Sequence, residues 1–107
     1  MTYDFMRLIL FFDLPVITKE QRKIYAQFRK FLIKNGYIMM QYSVYCKIFA
    51  NREAAVKHVG ILEKNVPKSG QIRILLVTEK QYSKIEIIVG GKSLQEELVN
   101  GDSFIKI

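Results

Sequence analysis

Residues 6–13, MRLILFFD, decide how this chain folds. The run is short, almost continuously apolar and closed by Asp13-Leu14-Pro15, the pattern of a strand covered on both faces. Alternation places Met6, Leu8, Leu10 and Phe12 on one side of it and Ile9 and Phe11 on the other. The next segment changes period. Thr18, with Gln21 three residues on, has capping-box spacing, and Ile24, Phe28, Phe31 and Leu32 follow the i, i+4, i+7, i+8 spacing of one helix face. Asn35-Gly36 supplies the left-handed stop of that predicted helix.

Tyr37 to Ala50 (YIMMQYSVYCKIFA) is rich in aromatic and β-branched residues and has no helical period. It reads as two antiparallel strands turning near Gln41 to Ser43, or as a single bent ribbon. Asn51 is an N-cap for a second helix. Ala55, Val59 and Leu62 form that helix's apolar face, Val66 continues the series and Pro67 ends it, while Gly60 weakens it by about 1 kcal/mol relative to Ala. Gly70 precedes another strand, Ile72 to Thr78 (IRILLVT). Glu79 to Lys84 is polar, a turn or one helical loop. Ile85 to Val89 (IEIIV) alternates as a fifth strand stopped by Gly90-Gly91, and Phe104 to Ile107 (FIKI) makes a short last one.

The order β-α-β-β-α-β, with an added strand or two at the C-terminal end, is that of a ferredoxin-like α+β fold, here one domain over residues 1–107. Such a sheet carries helices on one face only, so its other face should be polar if it meets water. Here it is not: Ile9 and Phe11 in the first strand, and Leu75 and Val77 in the strand at 72–78, make the second face apolar as well. Something must cover it. A second copy of the chain, packed through the sheet faces as a two-fold homodimer, is the economical cover, and a monomer whose last strands fold over that face is the alternative.

The chain has 107 residues, 50 % of them hydrophobic, one Cys and one His. That is enough for one core and not for two. Cys46 alone forms no internal disulfide, which points to a reducing compartment, the cytoplasm. No stretch approaches the ~20 apolar residues of a membrane span, and no basic leader or small-residue cleavage site flanks residues 5–17. The net charge of +7 is unevenly placed: residues 71–107 carry five basic and five acidic groups, so the whole excess belongs to the first seventy residues. A basic face of that kind draws polyanions, nucleic acid above all.

Several chemistries are excluded by residue type. One Cys and one His cannot fill a tetrahedral zinc site. There is no Gly-rich phosphate loop followed by a helix, and no Ser-His-Asp or Cys-His set with a base. His58, between Lys57 and Val59, reads as a solvated helix histidine. Asp13 stands out because its carboxylate ends a buried strand. A carboxylate there can hold Mg²⁺, which takes one or two carboxylates with water and phosphate, although an Asp before Leu-Pro also caps a turn. On the first helix Lys23, Gln27, Lys30 and Lys34 form one stripe flanked by Arg22 and Arg29, spaced to follow a phosphate backbone without reading bases. Ser43 can donate to a phosphate or satisfy the turn. The tyrosines at 37, 42 and 45 can stack on bases or fill core and edge.

The order of these motifs resembles the CRISPR-associated protein two family. The likeness rests on MRLILFFD followed by Leu14-Pro15, on the basic helix ending FRKFLIKNGY, on GYIMMQYSVY and on LLVTEKQY; the opening Tyr3-to-Arg7 segment and the RKFL stretch are most similar to members that accompany type II systems. The resemblance implies a ferredoxin-like homodimer in which the C-terminal extension, residues 85–107, pairs with the partner protomer's sheet. It also implies that the aspartates of both protomers, here Asp13, share a divalent metal such as Mg²⁺. The family's serine falls on Ser43 and its aromatic two residues later on Tyr45. Members are metal-dependent endonucleases for RNA or double-stranded DNA, and form the central dimer that bridges integrase subunits in spacer acquisition. Two positions depart from the pattern: Phe12 where many members have Tyr, and Met39 where some have Arg.

The sequence thus favours a double-stranded DNA-binding adaptor dimer, partner of the CRISPR-associated integrase, with a metal-dependent nuclease site at Asp13 and Ser43. Arg22, Lys23, Arg29, Lys30, Lys34 and Tyr45 are its nucleic-acid contacts. A catalytic, toxin-like endoribonuclease on the same fold ranks second. An RRM-type RNA-binding module ranks last, because the strand at 72–78 is aliphatic apart from Arg73 and lacks the aromatic RNP1 pattern.

Overall fold

The structure, a computed structural model, describes residues 5–91. In chain order these form β1 (Met6–Asp13), α1 (Lys19–Lys34), β2 (Ile38–Gln41), β3 (Val44–Phe49), α2 (Arg52–Glu63), β4 (Gln71–Thr78) and a single-turn α3 (Glu79–Tyr82). The sheet order is β2-β3-β1-β4, and each neighbouring pair is antiparallel. This is the ferredoxin-like arrangement that the order of elements predicts. Among the described residues no helix is long and apolar enough to cross a membrane.

The local signals act as read. The Thr18 hydroxyl accepts from the Gln21 N–H while the Gln21 side chain accepts from the Thr18 N–H, a complete capping box. Gly36, at φ 87°, carries the chain out of α1. The Asn51 side chain accepts from the Ala54 N–H at 2.8 Å and starts α2. The long aromatic segment divides into two strands with its turn at residues 42–43. No glycine is there because Ser43 itself takes the left-handed conformation, at φ 65°.

β1 lies inside the sheet and has a core on each side. Towards the helices, Met6, Leu8, Leu10 and Phe12 pack with Phe28 and Leu32 of α1, Tyr45 and Phe49 of β3, and Ala55 and Leu62 of α2. On the other face a smaller cluster of Ile9, Cys46 and Tyr82 is ringed by Ile38, Met40, Val44 and Val77.

Three expectations need correction. The second face has an intramolecular cover the sequence reading did not supply: α3 lays Tyr82 on Ile9 and Cys46. Arg7, 3 % exposed, holds it there, binding both Glu79 carboxylate oxygens (2.7 and 2.9 Å) with its Cζ 3.9 Å from the Tyr82 ring centroid. Cover is partial, since Phe11, Ile48 and Leu75 remain exposed. Residues 85–89 are not a strand; the segment is irregular and lines a groove with Met40 and Gln41. Alternation describes side chains, but a strand exists only where a sheet edge takes its backbone groups, and among the described residues none does. The strand read at 104–107 lies outside the described residues. Finally, His58 is not solvated. It is 8 % exposed, hydrogen-bonded to the Tyr37 hydroxyl at 2.9 Å and set against the Phe49 ring.

Candidate functional site

Asp13 is the last residue of β1, on the second face with Arg7, Ile9 and Phe11, and it is exposed. Two neighbours fix its place. The Phe12 N–H donates to the Ser43 carbonyl at 3.1 Å, which ties the β2–β3 turn to the end of β1. On the other side Gly70, at φ 85°, passes so close that a Cβ on it would meet the Asp13 carbonyl oxygen at 2.6 Å and the Leu14 Cδ2 at 2.7 Å. Only glycine accommodates both that φ and that approach.

The consequence is one open pocket lined by Phe11, Phe12, Asp13, Ser43, Val44, Gln71 and Arg73. The two residues named from sequence as the reacting pair, Asp13 and Ser43, are thus brought together. Arg73 joins them, because the β1–β4 register sets Asp13 opposite Gln71 and Phe11 opposite Arg73. Sequence reasoning noted Arg73 only as the exception in an aliphatic strand. A charged residue in such a run was the signal available, since it must leave the core at a point where charge is tolerated.

A metal was expected at Asp13. Among the described residues no three His, Cys, Asp or Glu side chains gather to hold one. The pocket itself offers a carboxylate, a hydroxyl and the Gln71 amide, all oxygen donors suited to a hard cation that keeps most of its waters. One protomer supplies a single carboxylate to this pocket, and waters and phosphate would make up the other ligands of such an ion. The positive Arg73 in the same pocket suits a phosphate.

The basic helix is less uniform than its spacing suggested. Lys23, Lys30 and Lys34 are exposed. Arg22 is engaged locally, its Nη1 donating to the carbonyls of Val16 (3.2 Å) and Ile17 (2.6 Å), so it braces the β1–α1 connection. Arg29 is exposed and donates from Nε to the Tyr45 hydroxyl at 3.1 Å. The Tyr45 ring is 2 % exposed and stacked on Phe12 with centroids 5.7 Å apart. It therefore offers no face to a base; its link to the basic surface is through Arg29. Tyr25, which the sequence reading passed over, joins the same end. It packs on Phe12 at 5.6 Å, and burial, followed by the neighbouring Tyr42 phenol, pushes its own phenol up to about 12.

Asp13, Ser43, Arg73 and the whole of α1 fall inside residues 6–85, the region that matches the family described as CRISPR associated protein Cas2. The chain belongs to the Cas2 family. A relative from Treponema denticola is 56 % identical over 100 residues, covering 91 % of this chain and 94 % of its own. One from Acidovorax ebreus is 46 % identical over 95 residues, with 89 % and 93 % covered. One from Streptococcus mutans is 44 % identical over 98 residues, with 92 % and 88 % covered. All three are named CRISPR-associated endoribonuclease Cas2. This Cas2 chain carries Phe12 and Met39 inside the sheet. Phe12 forms the aromatic hub of the core, in contact with Tyr25, Phe28 and Tyr45, and Met39 packs against the same cluster.

Proposed function

We propose that this Cas2 chain works in CRISPR immunity as a nucleic-acid-binding homodimer of the spacer-acquisition machinery, bridging integrase subunits on double-stranded DNA, and that it carries a metal-dependent phosphodiesterase site at Asp13. The observation that carries the reading is the shared pocket of Asp13, Ser43 and Arg73 at the end of β1. It sets an acidic group, a hydroxyl donor and a cation where a phosphodiester can lie.

Asp13 of both protomers would hold Mg²⁺, which when bound supplies an activated water and neutralises charge on the phosphate. The remaining roles belong to the chain. Arg73 draws the phosphate into the pocket and balances the negative charge that grows on its oxygens. The Ser43 hydroxyl donates to a phosphate oxygen, and its strained left-handed backbone keeps that group beside β1. Lys23, Lys30 and Lys34 hold the flanking backbone without base readout.

A second reading, a catalytic endoribonuclease, is favoured by the names of the relatives. One substitution separates the two. Under the adaptor reading Asp13→Ala leaves duplex binding and assembly with the integrase intact. Under the endoribonuclease reading the wild-type protein cuts RNA in Mg²⁺, and Asp13→Ala lowers that rate by at least about 100-fold. Wild-type protein that neither binds duplex DNA nor cleaves RNA eliminates both.

A further inference from the structure

Between α1 and the connection after α2 lies an open cleft of about 290 Å³. Ile24, Phe28 and Phe31 line it from α1, Val66 and Pro67 line it from the other side, and Gln27 and Asn65 supply its polar groups. Its walls are firmly held. Phe31 is stacked on Phe28 with ring centroids 6.3 Å apart, and Val66 packs against the core. Asn65 is tied back to α2, its backbone N–H donating to the Leu62 carbonyl at 2.9 Å and its side-chain amide to the Ile61 carbonyl at 2.8 Å. Cations border the cleft on both sides. Lys23 and Lys30 are each next in sequence to a lining residue of α1, and Lys64 and Lys68 bracket residues 65–67. All four are exposed, and among the described residues no ion pair engages any of them. Glu20 and Glu63, nearby in the chain, leave the local balance positive.

Lysines on a flat surface suit a polyanion of any kind. An apolar cleft between two lysine rims is more selective. A phosphate backbone gains nothing from Phe31 or Val66, whereas a peptide with aliphatic side chains at helical spacing buries them and turns its carboxylates to the rims. The volume is at the low end for a whole small-molecule site and suits one or two anchor side chains. We propose that this cleft docks an acidic amphipathic segment of a protein partner, its apolar anchors between Phe31 and Val66 and its carboxylates towards Lys23, Lys30, Lys64 and Lys68. Lys23 and Lys30 also belong to the nucleic-acid surface proposed above, so the segment and a duplex exclude each other. That exclusion rests on the nucleic-acid reading; the docking does not.

The probe is a fluorescein-labelled peptide of about 16 residues, with Leu at i, i+3, i+4 and i+7 and Glu at most other positions, compared by anisotropy with a scrambled peptide of the same composition. The ordered peptide is expected to bind at least about tenfold tighter, because both carry the same charge and only one presents an apolar face. It should move the methyl resonances of Ile24 and Val66. Lys64→Gln combined with Lys68→Gln should weaken it about fivefold while circular dichroism stays unchanged. Equal affinity for the two peptides, unmoved Ile24 and Val66 methyls at saturation, or affinity untouched by the Lys64 and Lys68 change overturns the proposal. So do nuclear Overhauser contacts to Phe31 from the chain's own residues 94–99, LQEELV, in the free protein, since the cleft would then be filled from within. Displacement of a labelled DNA duplex of about 20 base pairs by the peptide tests the exclusion. Docking without displacement removes the duplex from Lys23 and Lys30 and leaves the cleft's partner in place.

Discussion

The buried histidine shows how one side chain sets a pH limit. His58 is a buried residue of α2, with its ring against Phe49 and its Nε2 on the Tyr37 hydroxyl. Burial first, and then the positive charge of Lys47, hold its pKa below the ordinary 6.5. The unfolded chain therefore takes this proton before the folded one does. Stability from neutral His58 is complete above about pH 6.5 and is lost as pH falls through the lower folded-state value. Urea midpoints measured from about pH 7.5 to about 5 should fall on the acid side, and His58→Gln, which cannot titrate, should flatten that fall. No change in the acid limb with His58→Gln would mean the histidine is protonated at no cost. Nothing in the neighbouring residues signals this role, because the position faces inward only once α2 is docked beside Tyr37.

Among the elements, β4 and α3 show turns and caps acting at a distance. The entry to β4 fits under Asp13 only because residue 70 has no Cβ. Gly70→Ala is expected to cost about 1–2 kcal/mol in chemical denaturation and to disturb whatever activity depends on Asp13, since the carbonyl it strikes belongs to that residue. The α3 turn is capped by Thr78 and Gln81, but its docking depends on the bidentate pair between Arg7 and Glu79. Burial alone would lower the Arg7 pKa; its hydrogen bonds to Glu79 raise it above ordinary arginine, so the group stays charged inside the second face. Glu79→Gln should cost about 1.5–3 kcal/mol and speed hydrogen exchange over residues 79–85. Exchange unchanged there would show that the Tyr82 ring alone holds α3. Capping boxes and apolar periods are contacts within a few residues, which is why α1, α2 and both central strands were legible in the sequence. The Arg7–Glu79 pair spans 72 positions, and nothing local announces it.

For the whole molecule, the question is what meets the second face. Phe11, Ile48 and Leu75 lie across three adjacent strands there and stay exposed beside Tyr82, and a second copy is the proposed cover. Light scattering at micromolar concentration should report twice the 12.5 kDa chain mass, and Leu75→Glu should return it to 12.5 kDa. A wild-type particle of 12.5 kDa would remove the twin, and with it the paired Asp13 carboxylates. The sequence by itself determined the class of fold, the place of Asp13 at a strand end, the basic helix and the family, because apolar period, charge and motif order are properties of the chain read in one dimension. Only the tertiary structure decided which groups share a pocket. Sheet register carries Arg73 to Asp13, close packing turns Tyr45 inward and leaves Tyr42 out, and a buried ion pair folds α3 over the face. Each depends on contacts between residues distant in sequence, whose energies are fixed by packing and burial and by no local pattern.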